Sequence, residues 1–224
     1  MESPKTTSRI PELDGIRGLA ILSVLCYHYI SIQGLASPGS IVDILQRLVM
    51  LGGTGVDLFF VLSGFLIGGI LLYVKDSPRY FSTFYVRRFF RIIPVYFAPW
   101  FRRVLEVVPL QRAFAMEAPG YSVIAFFYVA LLLAALCIPG GLVSNVTRSS
   151  LLRKIGAISY CMYLIHIVVD VARHAVILRG SPKIATPRAA AVTIFAAILT
   201  FVIAQISWRI FEKPLLKRGH AFRY

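Results

Sequence analysis

The sequence predicts an all-α fold, a polytopic integral membrane helix bundle of about six spans, and three observations predict it. Of the 224 residues, 58% are hydrophobic and only 15% charged, where soluble domains run near 45–50% apolar and about 25% charged. The mean hydropathy is +0.74. The remaining charge is mostly basic, a formal net of +14, and it is gathered in clusters between uncharged apolar runs. Juxtamembrane anchoring and contact with lipid headgroups account for clusters so placed. Membrane lipids are therefore expected as partners, and nucleic acid is not.

The spans follow from run length, since a helix needs about 20 mostly apolar residues to cross the hydrocarbon core. Residues 18–42 carry no charge, and their apolar part, GLAILSVLCYHYISI, closes at Gly34, Ser37, Pro38 and Gly39. Residues 58–74, LFFVLSGFLIGGILLYV, form a second run. A third lies within 118–147, centred on VIAFFYVALLLAALCI and stopped by Pro139-Gly140-Gly141. The fourth, 155–169, either tolerates Asp170 or ends there, and 189–208 is the cleanest of all. Residues 92–101, IIPVYFAPWF, hold two prolines and are fenced by Arg91 and Arg102-Arg103. They read as a short span or as an interfacial helix. With or without that span, nearly two thirds of the 24 Lys and Arg fall on the side of the N-terminus, which the positive-inside rule makes cytoplasmic. Six spans put both termini there. No run before Gly18 reads as a cleavable signal, so the first helix itself is expected to direct insertion.

Ionisable residues inside spans are costly unless paired or wetted, which makes each a functional hypothesis. His28 is the deepest of them. It follows Arg17 by eleven residues, so the two lie about 20° apart around a regular helix and roughly 16 Å apart along it. Asp14, three before Arg17, shares that side. The stripe thus carries a cation near the inner surface and an imidazole within the membrane. A histidine satisfied by a neighbouring carbonyl is the plainer alternative. Gly15 and Gly18, which flank Arg17, allow other backbone or a ligand to approach closely.

Three further groups qualify. Gly64 and Gly68 form a G-x-x-x-G, expected to pack a helix, and Asp57 before them reads as a helix N-cap or as part of a polar cavity. In FYVRRFFRIIPVY, Arg87, Arg88 and Arg91 make one basic face if helical, suited to bidentate phosphate contacts or to anchoring on anionic lipid. In IGAISYCMYLIH, His166 is a second intramembrane imidazole with Ser159 near the same face, either a hydrogen-bonded structural cluster or a catalytic one. Glu212 followed by Lys213-Pro214 reads as a helix end capped by bases. Cys26, Cys137 and Cys161 all lie in apolar segments, without metal-ligand spacing, and are expected to be small buried hydrophobes. No metal and no bound cofactor are expected.

Together these residues suggest group transfer: arginines holding a phosphorylated donor, and an imidazole taking a proton from an attacking hydroxyl. RIPELDGIRGLAILSVLCYH, GVDLFFVLSGFLI, FYVRRFFRIIPVY, IGAISYCMYLIH and FEKP resemble, in order, the signatures of the acyltransferase family 3 membrane proteins, polytopic O-acyltransferases that modify cell-surface glycans and related molecules. The resemblance implies transfer of an acyl group, expected to be acetyl, from acetyl-CoA or another acyl-CoA to a hydroxyl of a carbohydrate, glycan or lipid-linked sugar. It places the chain in a bacterial inner membrane. Arg17 and His28 match the family's Arg-x10-His pair, with His28 as general base. Arg88 and Arg91 match its Arg-x-x-Arg motif, implying donor binding, while Asp14, Asp57, Ser63 and His166 fall on commonly matching positions as supporting residues.

The family's members usually have about ten helices, so 1–224 reads as a single shortened acyltransferase-like domain. Residues 9–100 form its N-terminal motif half, 121–218 its C-terminal helices, and 101–120 a junction where central helices are missing. Three readings follow: an active acyltransferase, alone or closing its cavity by self-association; a non-catalytic shortened relative; and a small transporter, disfavoured because polar residues are not spread along several helices at midplane.

Overall fold

A computed structural model describes residues 10–31, 41–96, 118–178 and 186–220, and every described element is helical. Helix α1, Pro11–Cys26, starts with proline in its first turn, where the missing N–H costs nothing, and with Glu12 and Asp14 favoured by the helix dipole. It widens into a π turn at Tyr27–Ser31. After α2, Ile41–Met50, and a 3₁₀ turn, Leu51–Thr54, the chain continues into α3, Gly55–Tyr73. Then come α4, Tyr80–Tyr96, and α5, Ala118–Cys137. Gly140 takes a left-handed φ of 82°, a conformation glycine adopts without steric cost, and turns the chain into the short α6, Leu142–Thr147. Helix α7, Ser150–Leu178, is the longest at 29 residues. Helix α8, Pro187–Ser207, is capped by Thr186, whose side-chain oxygen accepts from Ala189 N–H at 3.1 Å. A π turn, Trp208–Glu212, leads into α9, Lys213–His220.

Five described helical stretches are long and apolar enough to span: Pro11–Ile30, Gln46–Tyr73, Gly120–Cys137, Ser150–Leu178 and Pro187–Arg218. All five predicted runs are among them; the second, fourth and fifth are extended by a turn or more, the first begins earlier, at Pro11, and the third is confined to Gly120–Cys137. The fourth does not end at Asp170, which lies buried within α7. Of the ambiguous segment 92–101, residues 92–96 are the end of α4, while the rest, with most of the 101–120 junction, lies outside the described residues. Large apolar side chains such as Phe60, Leu72, Phe126 and Ile198 are exposed, as expected for helices whose outer surface meets lipid.

Helix α1 sits at the centre of the bundle and contributes to two cores. On one side Ile21, Leu25 and Tyr29 pack with Ile158, Cys161 and Ile165 of α7 and Ala196 and Ala204 of α8. On the other, Leu13, Ile16 and Ala20 pack with Leu58 and Leu62 of α3 and Leu132 and Ala135 of α5. A buried polar pin joins α7 to α8. His174 Nδ1 lies 3.2 Å from a carboxylate oxygen of Asp170, and its Nε2 lies 3.3 Å from the Thr193 hydroxyl.

Four local expectations change. A Cβ at Gly64 or Gly68 would meet nothing within 4 Å, so the G-x-x-x-G packs no described helix. Glycines that do pack closely include Gly15, Gly18 and Gly156, where a Cβ would collide with backbone of Thr147, Leu152 and Asp14 respectively, and Gly52 and Gly55, where it would meet Ser23 O and Ala20 O. Asp57 is not an N-cap; it lies inside the first turn of α3, flanked by Thr54 at the cap position. Lys213-Pro214 does not end the last helix. Pro214 has no N–H to return to the preceding turn, and the chain widens there, with Lys213 N–H reaching Trp208 O, before continuing as α9. Finally, only Cys161 is buried; Cys26 and Cys137 are exposed.

Candidate functional site

The site is organised by the pairing of α1 with α7. Gly18 and Gly156 touch, since a Cβ on Gly156 would lie 3.1 Å from Gly18 N. Ten residues further along each helix, the rings of His28 and His166 meet edge to face with centroids 4.8 Å apart. Equal spacing from glycine contact to histidine contact means the two helices run in the same direction and in register. At 1.5 Å per residue they stay together over roughly 15 Å. Only glycine at the first contact permits so close an approach.

Both imidazoles are oriented by their own helices. His28 Nδ1 lies 2.9 Å from Val24 O, and His166 Nδ1 lies 2.8 Å from Tyr163 O and 3.2 Å from Met162 O. A carbonyl only accepts, so each Nδ1 carries the hydrogen, and in the neutral ring each Nε2 presents its lone pair. For His28, half-buried in the π turn, this is the tautomer a general base requires. For His166, Nε2 is buried with no hydrogen-bond partner among the described residues. Tyr29, next in the chain, is buried and donates its hydroxyl to His166 O at 3.0 Å, while lying 2.9 Å from the Thr200 hydroxyl. Tyr29 and Thr200 thereby tie α1, α7 and α8 together beside the two rings. The π turn holding His28 matters here, because wide turns re-aim side chains and concentrate at functional sites.

At the other end of the same helices lies a cavity of about 900 Å³. Asp14 and Arg17 line it, joined by an ion pair at 3.2 Å. Arg87 of α4, Tyr160 of α7, and Trp208 and Lys213 from the end of the chain form other parts of its wall. The buried Glu12 pairs with Arg148, fastening the start of α1 to the turn between α6 and α7.

The structure thus brings together two sets of predicted residues. Arg17 and Asp14 form part of the cavity, and His28 and His166 form a pair three turns along. Neither histidine lines the cavity. Of the arginine cluster it is Arg87, not Arg88, that lines the cavity; Arg88 instead stacks over the Phe84 ring at 5.0 Å. The side chain of Arg91 lies outside the described residues. Ser63 is exposed on α3, and Asp57 is half-exposed near its start. Sequence reasoning missed Tyr29, Thr200, Glu12 and Arg148, whose partners are remote in sequence. It also missed Lys213 and Lys217 as cavity residues, although their basic clustering was visible.

Residues 10–101 match the family model described as an acyltransferase domain. Over 122 residues the chain is 38% identical to a candidate peptidoglycan O-acetyltransferase of Bacillus subtilis, covering 54% of this chain and 17% of that protein. Over 123 residues it is 33% identical to a peptidoglycan O-acetyltransferase of Listeria monocytogenes, with the same coverage of 54% and 17%. A candidate O-acetyltransferase of Staphylococcus aureus is 35% identical over 88 residues, 38% of this chain and 12% of the relative. The chain therefore spans about a sixth of the length of the first two relatives. No solved structure matches it.

Proposed function

We propose that the chain is a membrane O-acyltransferase that moves an acetyl group from acetyl-CoA to a hydroxyl of a cell-wall glycan, a reading supported by the match of residues 10–101 to the acyltransferase domain model. The observation that carries the reading is the His28 ring, whose Nδ1–H is held by Val24 O and whose Nε2 lone pair is left to act as a base. In the proposed reaction Nε2 takes the proton of the acceptor hydroxyl as its oxygen attacks the thioester carbonyl. The new C–O bond forms, the C–S bond breaks, and the proton passes from His28 to the departing thiolate. Arg17 and the cavity-lining Arg87 serve the donor, whose phosphates are anionic, and Arg88 and Arg91, the pair the family motif implies, add positive charge on the same helix α4. Asp14 holds the Arg17 guanidinium at the cavity wall, and a guanidinium is suited to recognising phosphate oxygens. Asp57, Ser63 and His166 are supporting residues; of these, His166 is the one in ring contact with the base. The relatives' names support peptidoglycan as the acceptor polymer, and the basic clusters support a cytoplasmic N-terminus in a bacterial inner membrane.

One observation favours a second reading, a binding-only relative: the cavity stops short of the histidines. Turnover separates the two. Wild-type protein in lipid nanodiscs is expected to release CoA from acetyl-CoA in the presence of a glycan acceptor, and His28→Ala to lower the rate by about 10²- to 10⁴-fold, the range for loss of a general base. A folded wild-type preparation with no turnover would leave the binding-only reading standing.

A further inference from the structure

Lys213 and Lys217 lie one turn apart on α9, and both line the 900 Å³ cavity from the side of the chain's end. They join Arg17 of α1 and Arg87 of α4, so four cationic side chains from three separate segments converge on one cavity. Two carboxylates also line it. Asp14 is engaged by Arg17, and Glu212 is buried, accepting a hydrogen bond from the Ser207 hydroxyl at 3.1 Å. Both lysines are exposed. The rest of the wall includes Phe65, Phe90 and Trp208, so cations stand beside flat apolar and aromatic surface. Helix α9 packs against α4, the helix that carries Arg87.

Such a wall fits a ligand that carries several phosphates and a planar or apolar part. We infer that α9 is an integral part of the donor site, with Lys213 and Lys217 binding phosphate oxygens of a nucleotide-type donor in the cavity that the Asp14–Arg17 pair also lines. The inference rests on the acyl-CoA reading above, and it adds the end of the chain to a donor site the sequence places in its N-terminal half. Ammonium groups act as point charges on phosphate, so their contribution depends on the phosphates and not on the acyl arm.

The same cations could instead serve lipid headgroup phosphates, and the test separates the sources. Binding of CoA and of acetyl-pantetheine, which has the arm without the nucleotide, is measured by calorimetry on the full chain in phosphatidylcholine nanodiscs. The double variant Lys213→Gln/Lys217→Gln is expected to weaken CoA binding by about tenfold or more and to leave acetyl-pantetheine within about twofold; Lys213→Arg/Lys217→Arg is expected to retain CoA affinity. Unchanged CoA affinity in the Gln variant overturns the inference while leaving the acyl-CoA reading intact. So does an equal loss for acetyl-pantetheine. A Gln variant that loses affinity only for phosphatidylglycerol-containing vesicles overturns it in favour of a lipid contact. Wild-type protein that binds no CoA removes the acyl-CoA reading itself, and the inference with it.

Discussion

His28 is where a structural and a catalytic role are easiest to confuse, because its hydrogen bond to Val24 O satisfies the ring without any reaction. The two roles separate by substitution. His28→Gln keeps an N–H donor for the carbonyl but removes the basic nitrogen. It is expected to unfold within a few degrees of wild type while losing turnover as fully as His28→Ala, measured by thermal unfolding alongside CoA release. A variant that keeps its rate would show the ring to be structural. The pairing with His166 was not legible in the sequence. Each histidine stood out as an ionisable group in an apolar run, but nothing local says that residues on the first and fourth spans share a level in the membrane. That level is set by Gly18 meeting Gly156, a contact between segments far apart in the chain.

Among the elements, the spans were legible because length and absence of charge decide them almost alone. The two π turns were not, because a single extra residue in a turn leaves no mark on hydrophobic periodicity. The first places His28 and Tyr29 side by side at the end of α1. Tyr29 secures that turn by donating to His166 O, with Thr200 at the same hydroxyl. Tyr29→Phe removes the hydroxyl and leaves a buried carbonyl and a buried threonine to find other partners, at a cost of about 1–3 kcal/mol. The expected result is a lower unfolding temperature in detergent with a smaller loss of turnover than for His28→Ala. An unfolding temperature equal to wild type would mean that the hydroxyl does not hold the turn.

On the scale of the whole molecule, the glycines divide into two kinds that the sequence does not distinguish. Gly156 sits where a side chain would strike Asp14 backbone, whereas Gly64 faces open space. Gly156→Leu is therefore expected to destabilise the bundle by about 1–3 kcal/mol or to prevent folding, as overpacking does, and Gly64→Leu to change stability by less than about 0.5 kcal/mol, as a surface substitution does. Chemical unfolding in detergent measures both. A large loss at Gly64 would mean that this face of α3 is covered after all. The in-register pair of α1 and α7 has a geometric consequence as well. The glycine contact is a fulcrum, and the two imidazoles sit at the ends of equal arms of roughly 15 Å. A change in tilt of only ~4° about that fulcrum would part the rings by ~1 Å, a misplacement of the size that can cost about 10²-fold in rate. The spacing of the two rings at the far end is thus gauged by two residues that have no side chains at all.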